Sequence, residues 1–320
     1  MLLSIPRRLL VGILGTSLFA AGGALCAPQA DAALPPAPVA AESRTKDDLN
    51  DLADKVIEVG IPGVVLGTRT DGKAMSVGRG VADIDTKRPA RPDDRYRVGS
   101  TTKTMTAVVA LQLVEEGKLR LDDPVDRWLP QFDLDKRMTV RHLLQQTSGF
   151  HTDTRILTPP RTYESNRFHH FTPTELVRIA LTNPEPRPAP GTHWEYANTN
   201  YILAGMVIEK VTGRPMGVEL NRRIFTPLGL KDTAYPVVSP FVPGRHLKGY
   251  LSDGPGKPLV DTTVYTMSWA RSAGAVVSTT GDATTFLRAL FTGRLLSKPI
   301  RWPDHSDQTR RNRTQGHTGN

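Results

Sequence analysis

The sequence predicts an α/β (α+β) fold: an antiparallel sheet flanked by helices, built from both ends of the chain, with an inserted, mostly helical domain. Two observations lead to it. Short β-like runs occur near the start and again at 274–278, and between them apolar residues recur mostly at helical spacing. We expect an α/β domain from 42–109 and 272–298, a helical domain from 110–271, and a cleft at their junction.

The first elements follow from periodicity and turn residues. Apolar residues at helical spacing predict a helix from Asp47 to Val59, ended by Gly60. The β-like run Gly63 to Thr68 leads into Asp71-Gly72, a hairpin turn signal, and 74–80 is expected to return as the second strand. Further helices are predicted at 101–116, 139–147, 174–182, 198–212, 215–224 and 282–291.

The N-terminal residues have the pattern of an export signal. In residues 1–32, two arginines precede an apolar stretch, and Ala30-Asp31-Ala32 offers a cleavage site. Residues 33–41 are rich in Pro and Ala and are predicted to be a linker. We expect a secreted, cell-wall-associated protein without a stable membrane span once the signal is removed; a retained N-terminal anchor is the alternative. The single cysteine, Cys26, would leave with the signal.

The net charge and the positions of the histidines indicate which kinds of binding partner to expect. The net charge of +9 suits an anionic cell-wall surface. Nucleic-acid binding is not indicated, because the one basic cluster, Arg310 to Arg313, has no interleaved aromatics. No metal is predicted: adjacent side chains such as His169 and His170 point apart and lack an acidic partner at ligand spacing. We expect no cofactor and a monomer.

The motif Ser100-Thr-Thr-Lys103 lies where a β-like run ends and a helix begins. Lys103 falls on the same helical face as Ser100. A serine hydroxyl needs a base to become nucleophilic, and a lysine serves if burial lowers its pKa from about 10.4 toward about 7–8. The alternative is a helix N-cap. The same spacing recurs at Ser43 to Lys46, where a capping interpretation fits better.

A second polar motif, Tyr196-Ala-Asn198, precedes a strong helix pattern. Two residues apart at a loop-to-helix junction, both side chains can point into one cleft. A tyrosine beside an ammonium can relay protons, and an asparagine amide can donate to a substrate carbonyl and orient a lysine. The alternatives are a packed aromatic for Tyr196 and an N-cap for Asn198.

Together these motifs resemble the serine β-lactamase family of the class C type, which includes secreted D-alanyl-D-alanine carboxypeptidases and esterase-like relatives. The resemblance runs from about Leu49 to Ser297. It is carried by Val98–Lys103, Leu143–Gly149, Tyr196–Asn198 and Ser268–Ala275, and Asn198–Gly205 with Ile224–Gly229 is most similar to the carboxypeptidase branch.

The resemblance implies roles for matching residues. Ser100 would be acylated, Lys103 would accept its proton or orient it, and Tyr196 would act as general base and acid. Asn198 would hold the substrate amide, and Trp269 would line the cleft or be an ordinary core tryptophan. The implied substrates are a peptidoglycan stem peptide ending in D-Ala-D-Ala, a β-lactam or a small ester.

The family's third motif has one match, His317-Thr318-Gly319, expected to bind substrate. The tail 299–320 is polar, Arg-rich and without strand alternation, and the strands and final helix of relatives do not follow it. Either an internal piece and the end are lost around a true motif, or the tail is frameshifted and the match is fortuitous. The abrupt change after Ser297 favours the second.

The altered tail has consequences for activity. The family's second oxyanion donor follows the third motif, where Asn320 is the only candidate. The cation that binds a substrate carboxylate would also fall in this region, with Arg271 as a possible replacement. An esterase, or an inactive remnant that binds the cell wall, is therefore an alternative to the carboxypeptidase-like hydrolase.

Overall fold

The computed structural model describes residues 46–70, 72–152, 166–252, 254 and 256–297. The predicted signal peptide and linker lie outside the described residues. So does the tail, with His317, Thr318, Gly319 and Asn320.

The described helices are α1 (Lys46–Glu58), α2 (Thr101–Glu115), α3 (Val125–Trp128), α4 (Val140–Leu144), α5 (Pro173–Leu181), α6 (Asn198–Thr212), α7 (Met216–Leu220), α8 (Thr226–Leu228) and α9 (Thr280–Phe291). The described strands are β1 (Gly63–Thr70), β2 (Lys73–Gly80), β3 (Tyr96–Arg97), β4 (Tyr250–Leu251), β5 (Val260–Asp261) and β6 (Val277–Ser278). Two 3₁₀ turns, Pro130–Phe132 and Arg271–Ala273, and a π-helical turn, Asn221–Phe225, complete these elements. None of the helices in these ranges combines the length and apolar composition needed to cross a membrane.

The predicted hairpin is present. Strands β1 and β2 pair antiparallel, from Gly63 opposite Gly80 to Thr70 opposite Lys73. Helix α1 covers one face of this hairpin, where its apolar stripe packs against alternating strand residues. This small core is formed by Leu49, Ala53, Leu66 and Val77.

Both ends of the chain contribute to the β structure, as expected. Strand β3 pairs antiparallel with β6, with Tyr96 opposite Ser278. Helix α9 follows β6 directly and packs against β1, where Arg69 donates to the Thr285 hydroxyl at 3.0 Å. Within the described residues the strands form three separate two-stranded antiparallel ladders, β4–β5 being the third. The fold is therefore α/β with small antiparallel sheets, and the predicted domain boundaries stay a prediction.

The main core lies among the helices between these strands. Helices α2 and α6 pack against each other. Both are apolar on most sides, which is typical of helices surrounded by other elements. Fully buried side chains of this core include Met105, Leu113, Leu129, Leu143, Leu203, Ile208, Leu220 and Ile224. The site described below lies at the N-terminal ends of these two helices.

Some predicted elements are shorter than expected. The helix predicted at 139–147 ends at Leu144, because Gln146 has a left-handed backbone (φ 62°) and leaves the helix. The strand predicted at 274–278 is limited to β6, because Ala275 N–H still closes a turn onto the Arg271 carbonyl. The helix predicted at 215–224 ends at Leu220 and continues as the π-helical turn.

Candidate active site

Ser100 lies at the start of α2 with its hydroxyl turned away from capping. Gly99 makes the turn out of β3 with a φ of 54°, a conformation that glycine adopts without strain. Ser100 already has helical dihedral angles and makes no side-chain capping bond. Its backbone N–H donates to none of the described residues. Both groups of Ser100 are therefore available for chemistry at the positive end of a helix.

Lys103 lies one turn further along α2, and only 6% of it is exposed. Its amine is 3.2 Å from Ser100 Oγ, 2.8 Å from Asn198 Oδ1 and 2.9 Å from the Ala273 carbonyl oxygen. Burial lowers the pKa of Lys103 to about 7. Near neutral pH, a large share of this side chain is an uncharged amine. A neutral amine that donates to the other two oxygens directs its lone pair at the Ser100 hydroxyl.

Tyr196 approaches Ser100 from the other side. Its hydroxyl donates to Ser100 Oγ at 2.6 Å, and the Lys103 amine lies 4.7 Å from its ring centre. Burial raises the pKa of Tyr196, although the bond to Ser100 opposes this. Tyr196 is thus a protonated phenol at neutral pH, placed to donate a proton to the reacting centre.

Asn198 is the first residue of α6 and faces Lys103 rather than capping the helix. Its Oδ1 accepts from the Lys103 amine. Its Nδ2 has no acceptor among the described residues and remains able to donate to a ligand. Asn198 therefore contacts the lysine that it was expected to orient. Its role in holding a substrate carbonyl stays a prediction.

The loop 145–149 supports the Tyr196–Asn198 segment from behind. Gln146 Oε1 accepts from the Ala197 N–H at 3.1 Å and from Asn200 Nδ2 at 2.6 Å. The Ser148 hydroxyl donates to Asn200 Oδ1. These buried, mutually satisfied bonds fix the start of α6. The resemblance pointed to this loop, but residue patterns alone gave no signal for its contacts.

The 3₁₀ turn Arg271–Ala273 supports Lys103. Thr106 Oγ1 donates to the Ser272 carbonyl at 2.7 Å, and Ser272 Oγ donates to the Tyr201 carbonyl at 2.7 Å. The turn approaches α6 so closely that a Cβ at Gly205 would lie 2.7 Å from Ser272 Cβ. The resemblance included this turn within Ser268–Ala275, but its contact with Lys103 was not predicted, because the contacting group is a backbone carbonyl and carries no residue-type signal.

Trp269 and Arg271 make packing contacts. Trp269 is half-buried and packs edge to face with Tyr265, their ring centres 6.5 Å apart. Arg271 Nε donates to the Phe171 carbonyl at 3.4 Å, and none of its contacts with described residues is to Ser100, Lys103 or Tyr196. A substrate-contacting role for either residue stays a prediction. In the described ranges, no group of three or more His, Cys, Asp and Glu side chains is placed to hold a metal ion.

Comparison with known proteins identifies the family of this chain. A family model described as Beta-lactamase matches residues 47–320, a range that includes His317-Thr318-Gly319. A solved D-stereospecific amidohydrolase from Streptomyces sp. is 38% identical with a TM-score of 0.72, covering 79% of this chain and 75% of that one. The D-amino acid amidase from Ochrobactrum anthropi SV3, complexed with L-phenylalanine amide, is 35% identical with a TM-score of 0.69, covering 78% and 72%.

Among curated proteins, esterase EstB of Burkholderia gladioli is 31% identical over 173 residues, 51% of this chain and 44% of the esterase. Another curated relative is matched over 40% of its length. The chain thus spans less than half of these two curated relatives. The family match covers most of the chain, and the solved structures share its fold. The chain therefore belongs to the β-lactamase family of serine hydrolases and has a β-lactamase/transpeptidase-like fold.

Proposed function

We propose that this protein hydrolyses amide bonds adjacent to a D-amino acid residue through an acyl-enzyme on Ser100, with peptides ending in D-Ala-D-Ala as its cell-wall substrate. The observation that carries the proposal is the position of Ser100 Oγ, 2.6 Å from the Tyr196 hydroxyl and 3.2 Å from the Lys103 amine. The proposed nucleophile is thus contacted by both a base and a proton donor.

The three side chains divide the proton transfers of acylation. Neutral Lys103 takes the Ser100 proton while Oγ forms a bond to the substrate carbonyl carbon. The Ser100 N–H at the helix end stabilises the oxyanion. As the carbon–nitrogen bond breaks, Tyr196 delivers its proton to the leaving amine. The proton that Lys103 took from Ser100 then passes to Tyr196 and restores the phenol.

Deacylation uses Lys103 as the base again. Water gives a proton to the neutral amine of Lys103 as its oxygen attacks the ester carbon. The bond between Ser100 Oγ and that carbon breaks, and the proton returns to the serine. In this scheme Lys103 is the base and Tyr196 the donor, because burial lowers the lysine pKa and raises the tyrosine pKa.

The substrate class rests on the relatives. The amidohydrolase and the amidase, the latter named for D-amino acids, share 38% and 35% of their aligned residues with this chain. A D-Ala-D-Ala terminus presents the same linkage, an amide whose acyl group belongs to a D-amino acid. The predicted signal peptide supports export to the cell wall, where such peptides occur.

A second candidate function is ester hydrolysis, which the 31% identity to esterase EstB favours. The site also suits it, since an ester releases an alkoxide that Tyr196 can protonate. An inactive wall-binding remnant is less well supported, because the proposed base and the proposed proton donor both lie within hydrogen-bonding distance of Ser100 Oγ.

The test compares substrates on the purified full chain. Release of D-Ala from a D-Ala-D-Ala peptide and of ammonia from D- and L-phenylalanine amide is measured beside p-nitrophenyl acetate turnover, with Ser100→Ala as control. We expect D-specific amide hydrolysis that Ser100→Ala abolishes. Turnover of the ester alone would replace the amidase proposal with the esterase. If no acyl probe adds to Ser100 by mass spectrometry, both enzymatic proposals fail.

A further inference from the structure

His151 is held between two oxygen acceptors beside the Tyr196 segment. Its Nδ1 lies 2.9 Å from Glu195 Oε2, and its Nε2 lies 3.1 Å from the Pro186 carbonyl oxygen. A neutral imidazole carries one N–H and satisfies only one of these oxygens, whereas the imidazolium donates to both. The geometry therefore selects the charged form, in a side chain that is only 14% exposed.

A second carboxylate near the imidazole also favours the charged form, and two basic side chains lie nearby. Glu185 Oε2 lies 3.9 Å from His151 Nδ1. His193 interacts electrostatically with Glu195. Arg187 lies over the neighbouring Phe150 ring, 5.2 Å from its centre. Burial lowers the pKa of His151, but the bonds to Glu195 and the Pro186 carbonyl outweigh it and raise the pKa overall.

The same pair is bonded into the segment that carries the phenol. Glu195 Oε1 accepts from the Thr152 N–H at 2.6 Å, and the Thr152 hydroxyl donates to the Tyr196 carbonyl. Residues 151–152 thus hold the two residues 195–196 at three points. Tyr196 is 38% exposed, so few packing contacts fix its ring from the solvent side.

We propose that His151 and Glu195 are positioning residues whose imidazolium–carboxylate pair holds Tyr196 against Ser100, and that loss of the His151 proton releases this hold. The sign follows from the geometry: the holding state is protonated, so it is lost as pH rises through the His151 pKa. A misplacement of about 1 Å can reduce a rate by about 10²-fold. The inference rests on the proposed function only in linking the phenol's position to turnover.

The first experiment needs no substrate. Histidine and tyrosine ring signals are followed by NMR from pH 5 to 9 in the full chain, assigned with His151→Gln and Tyr196→Phe. We expect His151 to titrate above the usual pKa of about 6.5 and the Tyr196 ring to report the same transition. In Glu195→Gln the His151 pKa should fall. A neutral His151 at pH 6 would overturn the proposal. So would a Tyr196 ring signal that does not change as His151 titrates.

The second experiment uses whichever acyl substrate the wild-type protein turns over. Glu195→Gln is expected to move the alkaline limb of the kcat profile to lower pH and to reduce kcat about 5- to 20-fold at pH 8, with a smaller change in KM. His151→Gln should abolish that alkaline limb, lower kcat and leave the rise with pH that Lys103 causes. His246→Gln, whose ring contacts the Gly244 carbonyl, is the matched control and should keep the wild-type profile.

These outcomes separate the two proposals. An unchanged profile in Glu195→Gln, with only a lowered melting temperature, would show that the pair is merely structural. Absence of turnover by the wild-type protein would defeat the proposed function, while the NMR titration would still decide the positioning proposal.

Discussion

The amine of Lys103 donates to the carbonyl of Ala273 at 2.9 Å, across 170 residues of sequence. Its other oxygen partners, Ser100 Oγ and Asn198 Oδ1, are also uncharged. Among the described residues no carboxylate forms an ion pair with it. A buried ammonium without a counter-charge is destabilised, and this is the physical reason that the Lys103 pKa falls to about 7.

The first prediction is a dependence of activity on the neutral lysine. Since the base is the uncharged amine, kcat/KM should rise with pH through about 7, the pKa of Lys103. Lys103→Arg remains charged at every accessible pH and should lose about 10²- to 10⁴-fold in kcat. Steady-state kinetics from pH 5 to 9 measure both. An arginine variant with near wild-type activity would exclude Lys103 as the base.

The second prediction concerns stability. The Lys103 pKa is about 7 in the folded state and about 10.4 when unfolded, so between these values the unfolded chain binds more protons. The contribution of Lys103 to the free energy of unfolding should therefore rise with pH. We expect Lys103→Met to be more stable than wild type near pH 7, with an advantage that shrinks by about 2 kcal/mol by pH 9. Urea unfolding at both pH values tests this, and a pH-independent difference would contradict it.

The third prediction follows from the Lys103–Asn198 bond of 2.8 Å. Asn198→Asp keeps the shape but places a carboxylate against the amine, which favours the ammonium. The acid limb of kcat/KM should move up by about 1–3 pH units. Asn198→Ala is the comparison, because it removes the acceptor without adding charge and should leave the limb near its original position. Equal limbs in both variants would mean that the limb does not report Lys103.

The parts of this fold that were predictable are those coded by local pattern. The period of apolar residues located α1, α2 and α6 almost to the residue. The Asp-Gly pair indicated the turn between β1 and β2. Ser100 and Lys103 were identifiable because three positions along a helix place two side chains on one face. Such signals lie within a few residues of one another.

The rest of the site depends on contacts between distant segments. Nothing local predicts that Gln146 leaves its helix in a left-handed conformation and uses its side chain to hold Ala197 and Asn200. The contact of Lys103 with the Ala273 carbonyl cannot be predicted from sequence either, since every residue has a backbone carbonyl. The resemblance to a family located these segments, but only the structure shows what they do.

The fourth prediction is the role of the Tyr196 phenol. Tyr196→Phe removes the hydroxyl that lies 2.6 Å from Ser100 Oγ and leaves the ring over Lys103. Loss of a proton donor typically reduces kcat by about 10²- to 10⁴-fold. Because the donor acts on the leaving group, KM should change little. A substrate whose leaving group needs no proton, such as a p-nitrophenyl ester, should lose less in acylation. An equal loss for amide and ester acylation would argue that the hydroxyl only orients Ser100.

The fifth prediction tests whether the 3₁₀ turn behind Lys103 positions the amine. In Gly205→Ala the new Cβ would lie 2.7 Å from Ser272 Cβ, so the turn must move. Overpacking of this kind costs about 1–3 kcal/mol of stability. The Ala273 carbonyl would move with the turn, so kcat should fall as well. In the double variant Gly205→Ala/Ser272→Gly, the second substitution removes the Cβ and Oγ atoms that the new Cβ would meet. The double variant should lose less stability than the two single variants lose together, although the bond to the Tyr201 carbonyl is lost. Thermal unfolding and kcat of all four proteins complete the cycle.

If the second substitution restores stability but not kcat, the turn supports the helices without setting the position of Lys103. If kcat returns together with stability, the close approach of α6 to this turn is part of what holds the base in place.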